Sequence, residues 1–153
     1  MHKIQYIMVF VLLSIFVTGC GTSVSYGLFF EESQIVTEID GKIEAAERIT
    51  FEKGEKVGLA LLDVGKFKQG EDGLHLMGMD FLVTGPNNEV IIDDVDVLGE
   101  RGHVPLTQGI SPIIHAMFTT ESSMESGNYR LKITVYDKIG GGSTSVTELI
   151  ILK

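Results

Sequence analysis

The sequence predicts an all-β domain folded as a β-sandwich, and three observations point there. From about Leu28 the chain runs in apolar and β-branched stretches of about five to ten residues, divided by Gly, Asn and Pro. These stretches recur about every ten to fifteen residues, which gives about seven to eight strands, the number a two-sheet sandwich needs. The one segment of helical composition, Lys42 to Arg48 around Glu44-Ala45-Ala46-Glu47, is too short to hold a helix alone and reads as a loop or a single turn.

The amino terminus comes first. Lys3 precedes an apolar run from Tyr6 to Val17 that only Ser14 interrupts. A positive start and a run of about a dozen residues, against the roughly 20 needed to cross a bilayer, make a cleavable signal peptide over residues 1–19. The run ends in Val17-Thr18-Gly19-Cys20, which resembles the lipobox of bacterial lipoproteins. That resemblance implies cleavage before Cys20, a diacylglyceryl thioether on its sulfur and further acylation of the new amino terminus. The alternative is a cysteine that merely follows an apolar run. Cys20 is the single cysteine, so no internal disulfide can form. Residues 20–27 are small and polar enough for a lipidated tether, and residues 28–153 form the domain.

Within the domain, Val57 to Val64 is apolar on both alternating faces, as a central strand should be. Leu74 to Thr84 places His75, Met77, Met79, Phe81 and Val83 on one face, Gly85-Pro86-Asn87-Asn88 turns the chain, and Val90 to Val97 returns beside it. The Met77-x-Met79 pair with Phe81 reads as core. Pro112 to Thr120 is another strand, and Asn128 to Asp137 alternates Tyr129, Leu131, Ile133 and Val135 with polar residues. Gly140-Gly141-Gly142-Ser143 then turns into Thr144 to Leu152, closing a terminal hairpin.

The stretch Gly127-Asn128-Tyr129-Arg130-Leu131-Lys132-Ile133-Thr134-Val135-Tyr136-Asp137 resembles the penultimate strand of immunoglobulin-like and fibronectin type III-like domains. The resemblance implies an immunoglobulin-like β-sandwich in which Tyr129 makes a corner hydrogen bond to nearby backbone. The cysteine pair and tryptophan of antibody domains are missing, so the broader sandwich is what it supports.

Cleavage after residue 19 leaves 134 residues, enough for one core, with 11 basic and 21 acidic side chains. A surface that acidic repels phosphate backbones, which argues against nucleic acid as a partner and leaves membrane attachment to the lipid.

Reactive groups are sparse. The chain has no Gly-x-Ser-x-Gly elbow, phosphate-binding glycine loop or His-Glu-x-x-His motif, and its thiol is assigned to lipid. His75, His103 and His115 could meet Asp80 or Asp63 around a metal, but their spacing has no ligand signature. Asp93, Asp94 and Asp96 are weak calcium candidates inside what reads as a strand with solvated carboxylates. A carboxylate pair for glycoside hydrolysis cannot be picked out from so many acids. With no tryptophan, Tyr136 is the main aromatic left for stacking a sugar.

The segment from Leu98 to Ile114 is the longest without periodicity and serves either as a functional surface or as a crossover between sheets. Glu100, Arg101, His103 and Gln108 would be its contacts. The expectation is a non-enzymatic envelope lipoprotein, without cofactor beyond the lipid on Cys20, that binds another envelope protein; a ligand- or calcium-binding domain is the alternative. Gly21 rather than Asp follows the cysteine, which by resemblance to lipoproteins of two-membrane bacteria favours the outer membrane where one exists.

Overall fold

The computed structural model describes residues 21–106 and 112–153; the signal segment, Cys20 and Gln108 lie outside the described residues. Among the described residues eleven strands form two sheets. They are β1 (Thr22–Tyr26), β2 (Glu32–Ile39), β3 (Lys42–Ala45), β4 (Thr50–Phe51), β5 (Lys56–Leu62), β6 (His75–Thr84), β7 (Val90–Asp94), β8 (His103–Val104), β9 (Ile114–Thr119), β10 (Gly127–Asp137) and β11 (Ser143–Leu152). The first sheet runs β1-β11-β10-β6-β7, with β4 beside β11 and β8 beside β6; the second runs β3-β2-β5-β9.

Alternation decides which side of each strand is dry. Met77, Met79, Phe81 and Val83 of β6, Tyr129, Leu131, Ile133 and Val135 of β10, and Val146, Ile150 and Leu152 of β11 are all buried. They pack against Val57, Leu59 and Leu61 of β5 and Ile114 and Phe118 of β9. Phe81 and Phe118 meet across the sheets with ring centroids 6.3 Å apart. Each large side chain so buried contributes roughly 1.5–3 kcal/mol. β5 is buried on its outward side as well, because Gly58 lies under Met117: a Cβ there would stand 2.6 Å from Met117 Cγ.

The expected hairpins are present. Gly85 to Asn88 turns β6 into β7, with Asn88 at φ 61° and Gly85 N–H donating to the Glu89 carbonyl at 2.9 Å. β10 and β11 pair from Gly127 with Leu152 to Tyr136 with Ser143. Tyr129 Oη donates to the Glu125 carbonyl at 2.7 Å, the corner bond.

Two readings need correcting. Lys42–Ala45 is not a loop or helical turn but strand β3, hairpinned to β2 through Asp40-Gly41, both at positive φ. That turn geometry suits the right-handed twist of paired strands and outweighs the helical propensity of four residues. Thr22–Tyr26, within the expected tether of residues 20–27, is not a free linker but edge strand β1, antiparallel to β11. Its residues are all exposed, so backbone hydrogen bonding rather than an apolar face holds it.

Tyr129→Phe keeps the buried ring and removes only the corner bond. Urea unfolding should show a loss of about 1 kcal/mol; an unchanged midpoint would mean that the bond contributes nothing to stability.

Candidate interaction site

The first sheet's outer face becomes polar where β6 begins and β10 ends. After β7 the chain bends at Asp96, which stands at φ 50°, and Asp96 N–H donates to Asp80 Oδ1 at 2.9 Å while Val97 N–H donates to the Met79 carbonyl at 2.7 Å. A short 3₁₀ helix, Gly99–Gly102, follows and hands over to β8 beside the start of β6. Gly102 is packed so closely that a Cβ would stand 2.0 Å from the Met77 carbonyl oxygen. The Leu98 to Ile114 segment, as far as it is described, is thus a crossover between sheets that also lines a surface.

That surface is an open concavity of about 610 Å³ whose walls are Leu76, Asp96, Gly99, Glu100, His103 and Lys138. Lys138 Nζ donates to Asp96 Oδ2 at 2.7 Å, and its backbone N–H donates to the Leu76 carbonyl at 2.9 Å. Asp96 Oδ1 is shielded from solvent and has no hydrogen-bond partner among the described residues. His103 Nε2 lies 2.9 Å from Asp72 Oδ2, and Leu74 N–H donates to the other Asp72 oxygen at 3.0 Å. Arg101 turns back to donate to the Val97 carbonyl at 2.9 Å. Beneath this, Tyr136 Oη donates to Asp80 Oδ1 at 3.2 Å, and the Tyr136 ring covers Gly78, where a Cβ would meet it at 2.0 Å.

The electrostatics follow from these partners. The Lys138 ammonium holds the Asp96 carboxyl below its usual range, and the Leu74 N–H, helped by His103, does the same for Asp72. Burial, with Asp80 beside it, pushes the Tyr136 phenol up to about 12.

Of the sequence candidates, Glu100 and His103 come together with Asp96 in one concavity, and Arg101 sits beside them. Asp93, Asp94 and Asp96 do not converge: Asp93 pairs with Leu82 and Asp94 with Phe81, positions on opposite sides of the strand, while Asp96 is committed to Lys138. The three histidines also separate. His75 faces the interior and accepts from the Leu106 N–H at 3.3 Å, His103 faces Asp72, and His115 is exposed on the second sheet. Among the described residues no group of three His, Cys, Asp or Glu side chains is placed to hold a metal ion. Tyr136, the candidate for sugar stacking, spends its ring on Gly78. Lys138 and Asp72 carry no sequence signal for the site, and Asp80, a candidate metal partner of the histidines, serves instead as an acceptor for Tyr136 and the Asp96 N–H; the register of β10 against β6 is what brings Lys138 there.

No protein-family model matches the chain, and no curated protein matches it. Among solved structures it is similar to a Niemann-Pick type C2 protein from Japanese carpenter ant, with a TM-score of 0.52 and 9% identity over 89% of this chain and 98% of that one. It is also similar to the C-terminal domain of wzt, with a TM-score of 0.52 and 8% identity over 88% of this chain and 78% of that one. At such identities the likeness is one of fold, the immunoglobulin-like β-sandwich.

Two titrations check the site. Lys138→Met should let the Asp96 carboxyl rise toward its ordinary 3.8, read from carboxyl-carbon chemical shifts, whereas an unmoved value would break the ion-pair assignment. Because the folded-state pKa of Tyr136 lies above the ordinary 10.0, its contribution to stability is complete below that pH and is lost as pH rises toward about 12. Tyr136→Phe should flatten this alkaline loss in denaturation curves.

Proposed function

We propose that the protein is a lipid-anchored envelope lipoprotein that works without catalysis, as a protein-binding or assembly module presenting the surface around Asp96, Glu100, Arg101 and His103. The observation that carries this reading is the concavity itself, charged, open, and built on backbone pinned to a rigid sheet. Asp72 and Asp96 are both held ionised by fixed neighbours, an arrangement suited to recognition. The lipobox-like Val17-Thr18-Gly19-Cys20 supports the anchor. Where a second membrane exists, the residue after Cys20 favours the outer one. A second reading, a ligand site, draws support from Asp96 Oδ1, an unmatched acceptor that a ligand's hydrogen-bond donor would satisfy.

The test is affinity capture of the intact protein from crosslinked native membranes, beside Cys20→Ser and a Glu100→Lys, His103→Glu double variant. A partner held by the parent protein should fall at least about tenfold in recovery with the double variant, matching the loss of roughly 1.4 kcal/mol or more expected of an interface anchor. Undiminished recovery would move the interface off this surface. Ligand-dependent melting without any captured protein would favour the second reading.

A further inference from the structure

The rest of the molecule holds a second surface, whose character the acidity of the chain makes unexpected. The outward positions of β1, β11 and β10 are Thr22, Val24 and Tyr26, then Ser143, Ser145, Thr147, Leu149 and Ile151, then Asn128, Arg130, Lys132, Thr134 and Tyr136. None is Asp or Glu, in a chain with 21 such residues. The one glutamate on these three strands, Glu148, points inward and accepts from Ser33 Oγ of the second sheet at 2.8 Å. On the outward side carboxylates resume at β6, with Asp80. Val24 and Tyr26 are 72% and 76% exposed, far more than packing against the domain would leave them. Beyond Tyr26, Lys66 and Lys68 line a concavity of about 440 Å³ with it and with Asp137, the one aspartate of these strands, which is buried and accepts from the Lys68 N–H at 2.7 Å.

The position of the amino terminus gives this surface an occupant. Thr22 is already paired with Thr147, so only Gly21 separates the sheet from Cys20, and two residues span at most about 7 Å. Acyl chains on Cys20 would therefore hold the β1 edge at the bilayer with almost no slack.

We propose that the outer face of β1, β11 and β10 is the membrane-apposed face of the domain, lying against the phospholipid surface that holds the acylated Cys20. This rests on the lipoprotein reading. Val24 and Tyr26 enter the headgroup boundary, where an apolar side chain and an amphipathic ring are both accommodated. Lys132, Lys66 and Lys68 meet phosphate oxygens; no outward-facing carboxylate on the three strands opposes Lys132, and the Asp137 carboxylate beside Lys68 is buried and engaged by backbone N–H groups. The acidic remainder of the protein is turned toward water.

The test uses the full-length protein, processed in cells, purified with its lipid and reconstituted in vesicles of phosphatidylethanolamine and phosphatidylglycerol. Acylation blocks Cys20, so Thr134→Cys and His115→Cys each offer one labelling site. Thr134 lies two strands in from β1, beyond the immediate reach of the anchor; His115 lies on the opposite sheet. A fluorophore at residue 134 should be quenched several-fold more strongly by headgroup-nitroxide lipid than one at 115. Equal quenching, or stronger quenching at 115, overturns the proposed face. Mass spectrometry of the amino-terminal peptide separates the two readings: an unmodified Cys20 removes the lipoprotein reading and this proposal together, while an acylated Cys20 with equal quenching removes this proposal alone.

Discussion

The drying of two facing sheets is the constraint from which the rest follows. Its demand is a side-chain period of two held without error along β6, β10 and β11, because a slip of one residue would put Met79, Ile133 and Ile150 into water and their polar neighbours into the core. The cost of such a slip locks the register of β10 on both sides, with β11 and with β6. Once register is locked, every outward side chain has a fixed address. The outer face can then be divided, one part around Asp96 and Lys138 rich in charge, the other free of carboxylates.

The charged part shows how little the chain needs in order to build a site on such a frame. Pairing Tyr136 with Gly78 and Asp137 with Met77 places Tyr136 Oη at Asp80 and delivers Lys138 to Leu76 and Asp96. The approach to the Leu98 to Ile114 segment is tied down at Asp96 by Asp80 and at Val97 by the Met79 carbonyl, and the segment's first part by the close approach of Gly102 to Met77. A surface held this way has little conformational entropy left to lose on meeting a partner.

Strands with a buried face are legible in the sequence, because burial writes alternation into residue choice: Leu74 to Thr84, Asn128 to Asp137 and Thr144 to Leu152 lie within a few residues of β6, β10 and β11. The mostly exposed β7 is legible instead from the Gly85 to Asn88 turn that precedes it. β1 and β3 are not. Every residue in both is exposed, so neither carries a hydrophobic signature, and their stability comes from backbone pairing with a strand far away or across a turn. For β3 a signal was available in Asp40-Gly41, a dipeptide suited to a tight hairpin. At the site, the irregular stretch gave away Glu100, Arg101 and His103 by its lack of periodicity. Lys138 and Asp72 left no local trace, since what recruits them is contact across strands distant in sequence.

The pairing of β1 with β11 has a mechanical consequence. A chain held at residue 20 and pulled outward loads this ladder from its Thr22 end, where the bonds open in succession rather than all at once. Such a strand behaves as a zip fastener. Peeling residues 21–27 would release about 20–25 Å of extended chain and leave the two dry faces of the sandwich in contact. Under load at residue 20 the same seven residues would serve in turn as a rigid mount and as a leash, with the size of the force deciding which.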